Sequence, residues 1–571
     1  MKINAALRAL VWSTIVSAFP GVLGAAPADL DLTFGGTGKV TTPIGTKYRV
    51  NGMAVQNDGK IVVVGGSWPG LPGHFAMARY NADGSLDTTF NGTGKVVTIV
   101  SNTGDAAAAV ALQSNGKIVV AGGANRGTSN QDEIALVRYN SDGSLDPSFN
   151  GTGKVTTRVT NSSDRATSVA LQSDGKIVVA ASANDSDFAV VRYNGDGSLD
   201  TSFNGTGKVT TAVSVSYELA NSVAVQSDGK IVVSGTARTN NPFNDFAVVR
   251  YNANGSLDTS FSGDGKVITN VGGGNSNASG LAVQSDGKIV VSGYTDLGAA
   301  GQDFSLVRYN ADGTLDPGFS DDGKVTTPVG NSFDQSPVIA LQADGKIVAA
   351  GGSYNGGYHV SVVRYVADGR LDTTFNGTGK VITAVATDDF AKSLVVQSDG
   401  KILVAGWATT AGNQDFAVVR YQGDLTPFGA WKLQHLGNSS APDNGDPDRD
   451  GVLTLAEYGL GLLPEASDPG LAVSLFDYPE GRRLRLFVQR DPEHNDISVQ
   501  VLAASTVAGP WSAIGTSTRG APFTGPGYFT GDGATAGVKT VEVRDTVNAT
   551  DAAMRFLRVR VSVGSAPASP E

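Results

Sequence analysis

One phrase, repeated seven times, limits what this chain can fold into. Leu-Asp-x-x-Phe begins at Leu30, Leu86, Leu145, Leu199, Leu257, Leu315 and Leu371, at intervals of 54 to 59 residues. A Gln that opens a turn recurs at Gln56, Gln113, Gln172, Gln226, Gln284, Gln342 and Gln397. An Arg-Tyr pair ends on Tyr80, Tyr139, Tyr193, Tyr251, Tyr309, Tyr365 and Tyr421. A fixed period of this kind signals one structural unit stacked on its copies.

Within a unit, the apolar runs are short and rich in Val and Ile, as in "SVAVQ", "KIVVSG", "FAVVRY" and "GKVIT". Their length and composition predict strands, and the Asp-Gly and Asn-Gly pairs between them predict turns. "KIVVV" is apolar throughout, which suits a strand buried on both faces. Four strands joined as a meander fit a propeller blade better than the shorter coil of a β-solenoid. The chain enters at "LDLTFGGTGKV", the last strand of a unit, and leaves the repeats at "FAVVRY", the third. The first segment can then complete the last blade beside Tyr421, closing the ring and removing an open edge.

"LDTTFNGTGKVVT", "AVQSDGKIVVAG" and "FAVVRYNADGS" resemble the delta-60 repeat family of exported bacterial proteins over roughly Asp29 to Gly423. That resemblance implies a propeller-like fold and no particular activity. The expected architecture is all-β: a seven-bladed propeller over 27–424, a short EF-hand-like helical segment over 425–466, and a small β-sandwich over 467–565. Residues 566–571 would form a tail. The sandwich rests on alternation in "RRLRLFVQR", "ISVQVLAAS", "KTVEVRD" and "RFLRVRVSV". Residues 1–26 read as an export signal: Lys2 and Arg8 precede an apolar stretch, and "GAAPA" offers cleavage near Ala25 or Ala26. Pro20 and Gly21 interrupt that stretch, which argues against a membrane anchor. A secreted or surface-associated monomer with no transmembrane segment is the expectation.

Composition narrows the chemistry. The net charge of −11 argues against nucleic acid as a partner, because phosphate binding needs a basic face. With no Cys, thiolate chemistry and Cys-ligated metals are excluded. "FNGTGKV" lacks the Gly-Lys-Ser/Thr ending of a phosphate loop and recurs with the repeat, so it reads as a turn. No Gly-x-Ser-x-Gly or His-Glu-x-x-His is present. A binding or scaffold role toward extracellular glycan or protein is therefore favoured. A glycoside hydrolase or polysaccharide lyase on the same scaffold is the alternative.

Two features nominate sites. "DPDRDGVLTLAE" matches the calcium loop of an EF-hand. Asp446, Asp448 and Asp450 take the first, third and fifth places, and Gly451 permits the sharp turn. Val452 offers a carbonyl, Thr454 a hydroxyl or a held water, and Glu457 a bidentate carboxylate. Ca2+ is the expected cofactor, and the segment resembles extracellular loops of the dockerin and thrombospondin type 3 kind. The second feature is an aromatic residue just after the second strand, at Trp68, Tyr294, Tyr354 and Trp407. These come from contiguous blades once the ring closes. They could stack on sugar or peptide, or simply pack the variable loops. A row before the third strand, at His74, Glu133, Asp187, Asp245, Asp303, His359 and Asp415, is largely acidic. It could attract a cation or bond local backbone amides.

Overall fold

The computed structural model describes residues 26–45, 48–67, 73–127, 131–184, 186–214, 216–239 and 243–424. Toward the C-terminus it describes the strands 473–478, 481–490, 497–504, 512–518, 528–530, 539–544 and 556–563.

Each repeat forms a four-stranded antiparallel meander. In the third, Asp164–Leu171, Ile177–Ala183, Asp187–Tyr193 and Lys208–Thr211 pair in chain order. The first-second turn is "QSDGK". Gln172 N and O close it against Lys176 O and Gly175 N, and Asp174 Oδ1 accepts the Lys176 amide. Gly175 sits at φ 81°, a left-handed conformation that costs glycine little.

First strands contact one another around the whole ring and so line its axis. Second strands are apolar on both faces because both are covered: Ile61, Val62, Val63 and Val64 are fully buried. The apolar clusters lie between neighbouring blades. Val119 and Ala121 of the second blade, for example, pack with Ile177 and Val179 of the third. This is the interior burial that stabilises stacked β units.

The ring closes through the predicted strand exchange. Lys39–Thr42 pairs antiparallel with Asn413–Tyr421, with Lys39 opposite Val419 and Thr42 opposite Phe416, and Leu30 bridges to Tyr421.

Past the propeller, two antiparallel sheets are described. One runs Val473–Tyr478, Gly481–Arg490, Lys539–Arg544, Tyr528–Thr530; the other Ser512–Thr518, Ile497–Ala504, Phe556–Val563. All four C-terminal strands expected from alternation are among them. Among the described residues the helical content is one 3-10 turn, Gly298–Ala300. Among the described residues no helix is long and apolar enough to cross a membrane. The expected signal segment 1–26 and calcium segment 425–466 lie almost wholly outside the described residues.

Candidate functional site at the channel mouth

The repeated residues are consumed by the ring itself. The Arg of each Arg-Tyr pair (Arg79, Arg138, Arg192, Arg250, Arg308, Arg364, Arg420) is buried. Its Nε lies 2.6–2.8 Å from the Asp of Leu-Asp-x-x-Phe. Its guanidinium covers the Phe of the same phrase at 4.3–4.7 Å. In six blades Nη1 then donates to a backbone carbonyl in the next blade: Ser141, Gly195, Ala253, Ala311, Ala367 and, across the closure, Ala82. Arg364 reaches the Asp424 side chain instead. The Lys of Gly-Lys-Val makes a second tie. Lys39, Lys95, Lys154, Lys208, Lys266, Lys324 and Lys380 each donate to a carbonyl of the preceding blade at 2.6–2.8 Å. The lysine that suggested a phosphate loop is an inter-blade strut.

What differs between blades collects on the axis. Every first strand carries a register shift against the second, seen between Val50/Gly52, Ala107/Ala109, Ala166/Ser168, Ala220/Ser222, Ala278/Gly280, Gln335/Val338 and Ala391/Ser393. A bulge inserts an unpaired residue and re-aims its side chain. The inserted residues include Asn51, Ala108, Thr167, Asn221, Ser279 and Lys392, with Ser336 and Pro337 in the sixth blade. Six of these, with Ser336, line two cavities of about 1080 and about 740 Å3 on the axis, both reached by Asn51, Thr167, Asn221 and Lys392. The larger one opens on the face of the variable loops and is bounded there by Thr103, Asn125, Asp132, Ser163, Tyr358 and Asp388.

One sector of its wall is aromatic and cationic. Phe390 and Trp407 stack at 6.1 Å with planes 7° apart. Arg49 covers Trp407 at 4.4 Å and donates from Nε to Gln414 Oε1 at 2.6 Å. Lys392 Nζ lies 4.9 Å from the Phe390 ring centre. Tyr358 continues the aromatic row, 5.7 Å from Phe390, and Tyr354 follows at 5.6 Å from Tyr358. Burial, then repulsion from Arg49, lowers the Lys392 ammonium to about 8. Burial, then the neighbouring Asp388, raises the Tyr358 phenol.

The expected aromatic residues are thus divided. Trp407 lines the larger cavity but is buried, with Phe390 and Arg49 against it. Tyr294 lines the smaller cavity, and Tyr354 is exposed beside Tyr358. Trp68 lies outside the described residues, as do Asp446, Asp448, Asp450, Val452, Thr454 and Glu457. Sequence reasoning missed Arg49, Tyr358, Phe390 and Lys392. A signal for the last existed: five residues before each repeated Gln stand Asn51, Ala108, Thr167, Asn221, Ser279, Pro337 and Lys392, and one of the seven is charged.

In the row before the third strand, four members face side chains. Glu133 pairs with Arg126 and Arg158, Asp245 accepts from Asn270 Nδ2, and His74 and His359 face Asp105 and Asp389. Loop amides are collected instead by the acidic first residue of five inner strands, Asp105, Asp164, Glu218, Asp334 and Asp389. Asp105 accepts from Val100 and Ser101, Asp164 from Val159 and Thr160, and Asp334 from Val329 and Gly330. The reason is geometric: that residue sits inside the loop it closes, whereas the row sits across the blade. Among the described residues no three His, Asp or Glu converge as metal ligands.

No curated protein matches this chain. Among solved structures, Sqt1 from Chaetomium thermophilum is similar at 12% identity, covering 66% of this chain and 97% of that one, with a TM-score of 0.38. The polysaccharide lyase Uly1 is similar at 14% identity, covering 65% and 89%, with a TM-score of 0.38. A PL25 ulvan lyase is similar at 11% identity, covering 67% and 96%, with a TM-score of 0.40. Seven segments, 56–90, 113–149, 172–203, 226–261, 284–319, 342–375 and 397–427, match the family described as a domain of unknown function (DUF5122) beta-propeller. The chain therefore carries seven DUF5122 beta-propeller repeats, which supports its place in a propeller-repeat family.

Proposed function

We propose that this chain is an exported binding scaffold that engages extracellular carbohydrate at the mouth of its central channel. The observation that carries the reading is the division of labour among residues. Arg, Asp, Phe and Lys of the repeat are committed to holding blades together, while the bulge residues and the variable-loop rim differ from blade to blade and line the axial cavities. A concave site with aromatic side chains and a few polar groups is the usual form of a ligand pocket. The amides of Asn51 and Asn221 donate to Ala107 and Ala278 carbonyls. Their Oδ1 atoms accept nothing from the described residues and suit sugar hydroxyls.

In the same reading, residues 1–26 direct export, and the C-terminal strands form a small β-sandwich. Asp446, Asp448, Asp450, Val452, Thr454 and Glu457 hold a structural Ca2+ between propeller and sandwich. Calorimetric titration of the full chain with Ca2+ is expected to give a dissociation constant of about 0.1–1 mM, as in other extracellular modules. Glu457→Gln should abolish the heat, and a variant that binds as the parent does would remove the site.

A glycan array probed with the full chain, with analysis of the eluted sugars, tests the main reading. Retention of unaltered carbohydrate is expected. Release of new reducing ends or unsaturated products would establish the enzyme alternative. A result with neither retention nor release of products from any glycan would overturn both.

A further inference from the structure

We propose that Lys392, seated at the bulge of the closing blade beside Arg49, receives the carboxylate of an acidic sugar in the channel mouth. This deepens the carbohydrate-binding reading and rests on it. Lys392 is the charged member of a column otherwise made of Asn, Ala, Thr, Ser and Pro. Nothing in the blade architecture asks for it, since the other six bulges form without a cation.

The buried cations of the ring are paired, as Arg250 is with Asp258 and Lys401 with Asp31, whereas Lys392 is half-buried at the cavity wall. Lys392 makes no hydrogen bond or ion pair among the described residues, and its one partner is the Phe390 ring. The carboxylates around the cavity are already engaged. Asp132 pairs with Arg165, Asp105 accepts the Val100 and Ser101 amides, and Asp388 accepts the Tyr358 amide. A second cation, Arg49, is close enough to disfavour the ammonium. An unpaired cation held near another is costly without a counter-charge. A ligand that brings one anion and apolar ring faces relieves that cost, and a uronic sugar carries both.

Isothermal titration of the full chain with oligogalacturonate and with its methyl ester isolates the charge, because the two share every ring atom. At pH 7 the acid should bind about tenfold more tightly than the ester, as one charge-assisted hydrogen bond implies. Lys392→Gln should remove that preference, so that acid and ester bind alike. Lys392→Met, which keeps the apolar stem, should do the same and melt no lower than the parent. Raising the pH from 7 to 9.5 should weaken the acid alone. The other charged groups facing that mouth are Arg49, Arg165, Asp105, Asp132 and Asp388, and burial holds the Tyr358 phenol above its ordinary value. Equal binding of acid and ester, or a preference that survives both substitutions, overturns this proposal and leaves carbohydrate binding standing. Binding of neither sugar overturns this proposal, and the glycan array decides the carbohydrate-binding reading separately.

Discussion

Arg250 shows how one side chain of the repeat does three jobs. It neutralises Asp258 at 2.7 Å, covers Phe261 at 4.6 Å, and reaches the Ala311 carbonyl of the next blade at 2.5 Å. Asp258→Ala leaves a buried guanidinium without its counter-charge, and chemical denaturation should show a loss of about 3 kcal/mol. Such a large loss is expected only for a buried, hydrogen-bonded pair; a loss under about 0.5 kcal/mol, typical of a surface change, would contradict the assignment. The equivalent carboxylates also set the acid limit. Burial pushes Asp87 up, but hydrogen bonds from Thr89 and Lys60 and the charge of Arg79 prevail and hold it at about 2. A carboxylate depressed in the folded state stabilises it above the unfolded value near 4, and that stability is lost as pH falls through the folded value. The melting temperature should therefore stay level from pH 7 to about 5 and fall steeply between about 4 and 2. Lys392 acts in the opposite range. Its lowered value means the unfolded chain binds more protons above about 8, so stability should rise from there toward pH 10. Lys392→Met should abolish that rise. A rise unchanged in the variant would place the titrating group elsewhere.

The bulged first strand is the element on which the site depends. In the closing blade, Ala391 stands opposite Gly406, and a Cβ on Gly406 would lie 1.7 Å from the Phe390 carbonyl oxygen. Gly406→Ala must push the strand that carries Phe390 and Lys392 off its partner. A destabilisation of about 1–3 kcal/mol in denaturant titration is expected, together with weaker ligand binding. In the third blade the same column holds Ala181 opposite Ala166, so the strand there has already accommodated the methyl group. The converse substitution, Ala181→Gly, should accordingly leave ligand binding unchanged. Strands were legible in the sequence because Val and Ile runs of fixed length alternate with Asp-Gly turns. The bulges were not, because a bulge changes hydrogen-bond register without changing composition. The residue that it aims at the axis reads in sequence as one more position in a small-residue strand.

For the whole molecule, closure by the first strand follows from counting strands: seven repeats supply four each only if Lys39–Thr42 joins Asn413–Tyr421. Deleting residues 26–42 should expose a strand edge on the last blade, lower the melting temperature sharply, and promote association seen by light scattering. A monomer of unchanged stability would refute the closure. The seven-fold wording that revealed the ring also concealed the site. Repeated residues such as Arg420 and Lys95 do architectural work, and the binding surface is built from positions where the repeats disagree. Arg49 of the first blade and Trp407 of the last meet only because closure brings those blades together, which no local pattern states. The central claim, that ligand enters at the variable-loop mouth and reaches the bulge ring, is tested most directly by hydrogen exchange of the full chain with and without oligogalacturonate. The account predicts slowed exchange in the inner strands around Asn51, Asn221 and Lys392 and in the segment around Tyr358, with the "SDGK" turns unchanged. Protection confined to those turns, or none while the sugar is bound, would contradict it.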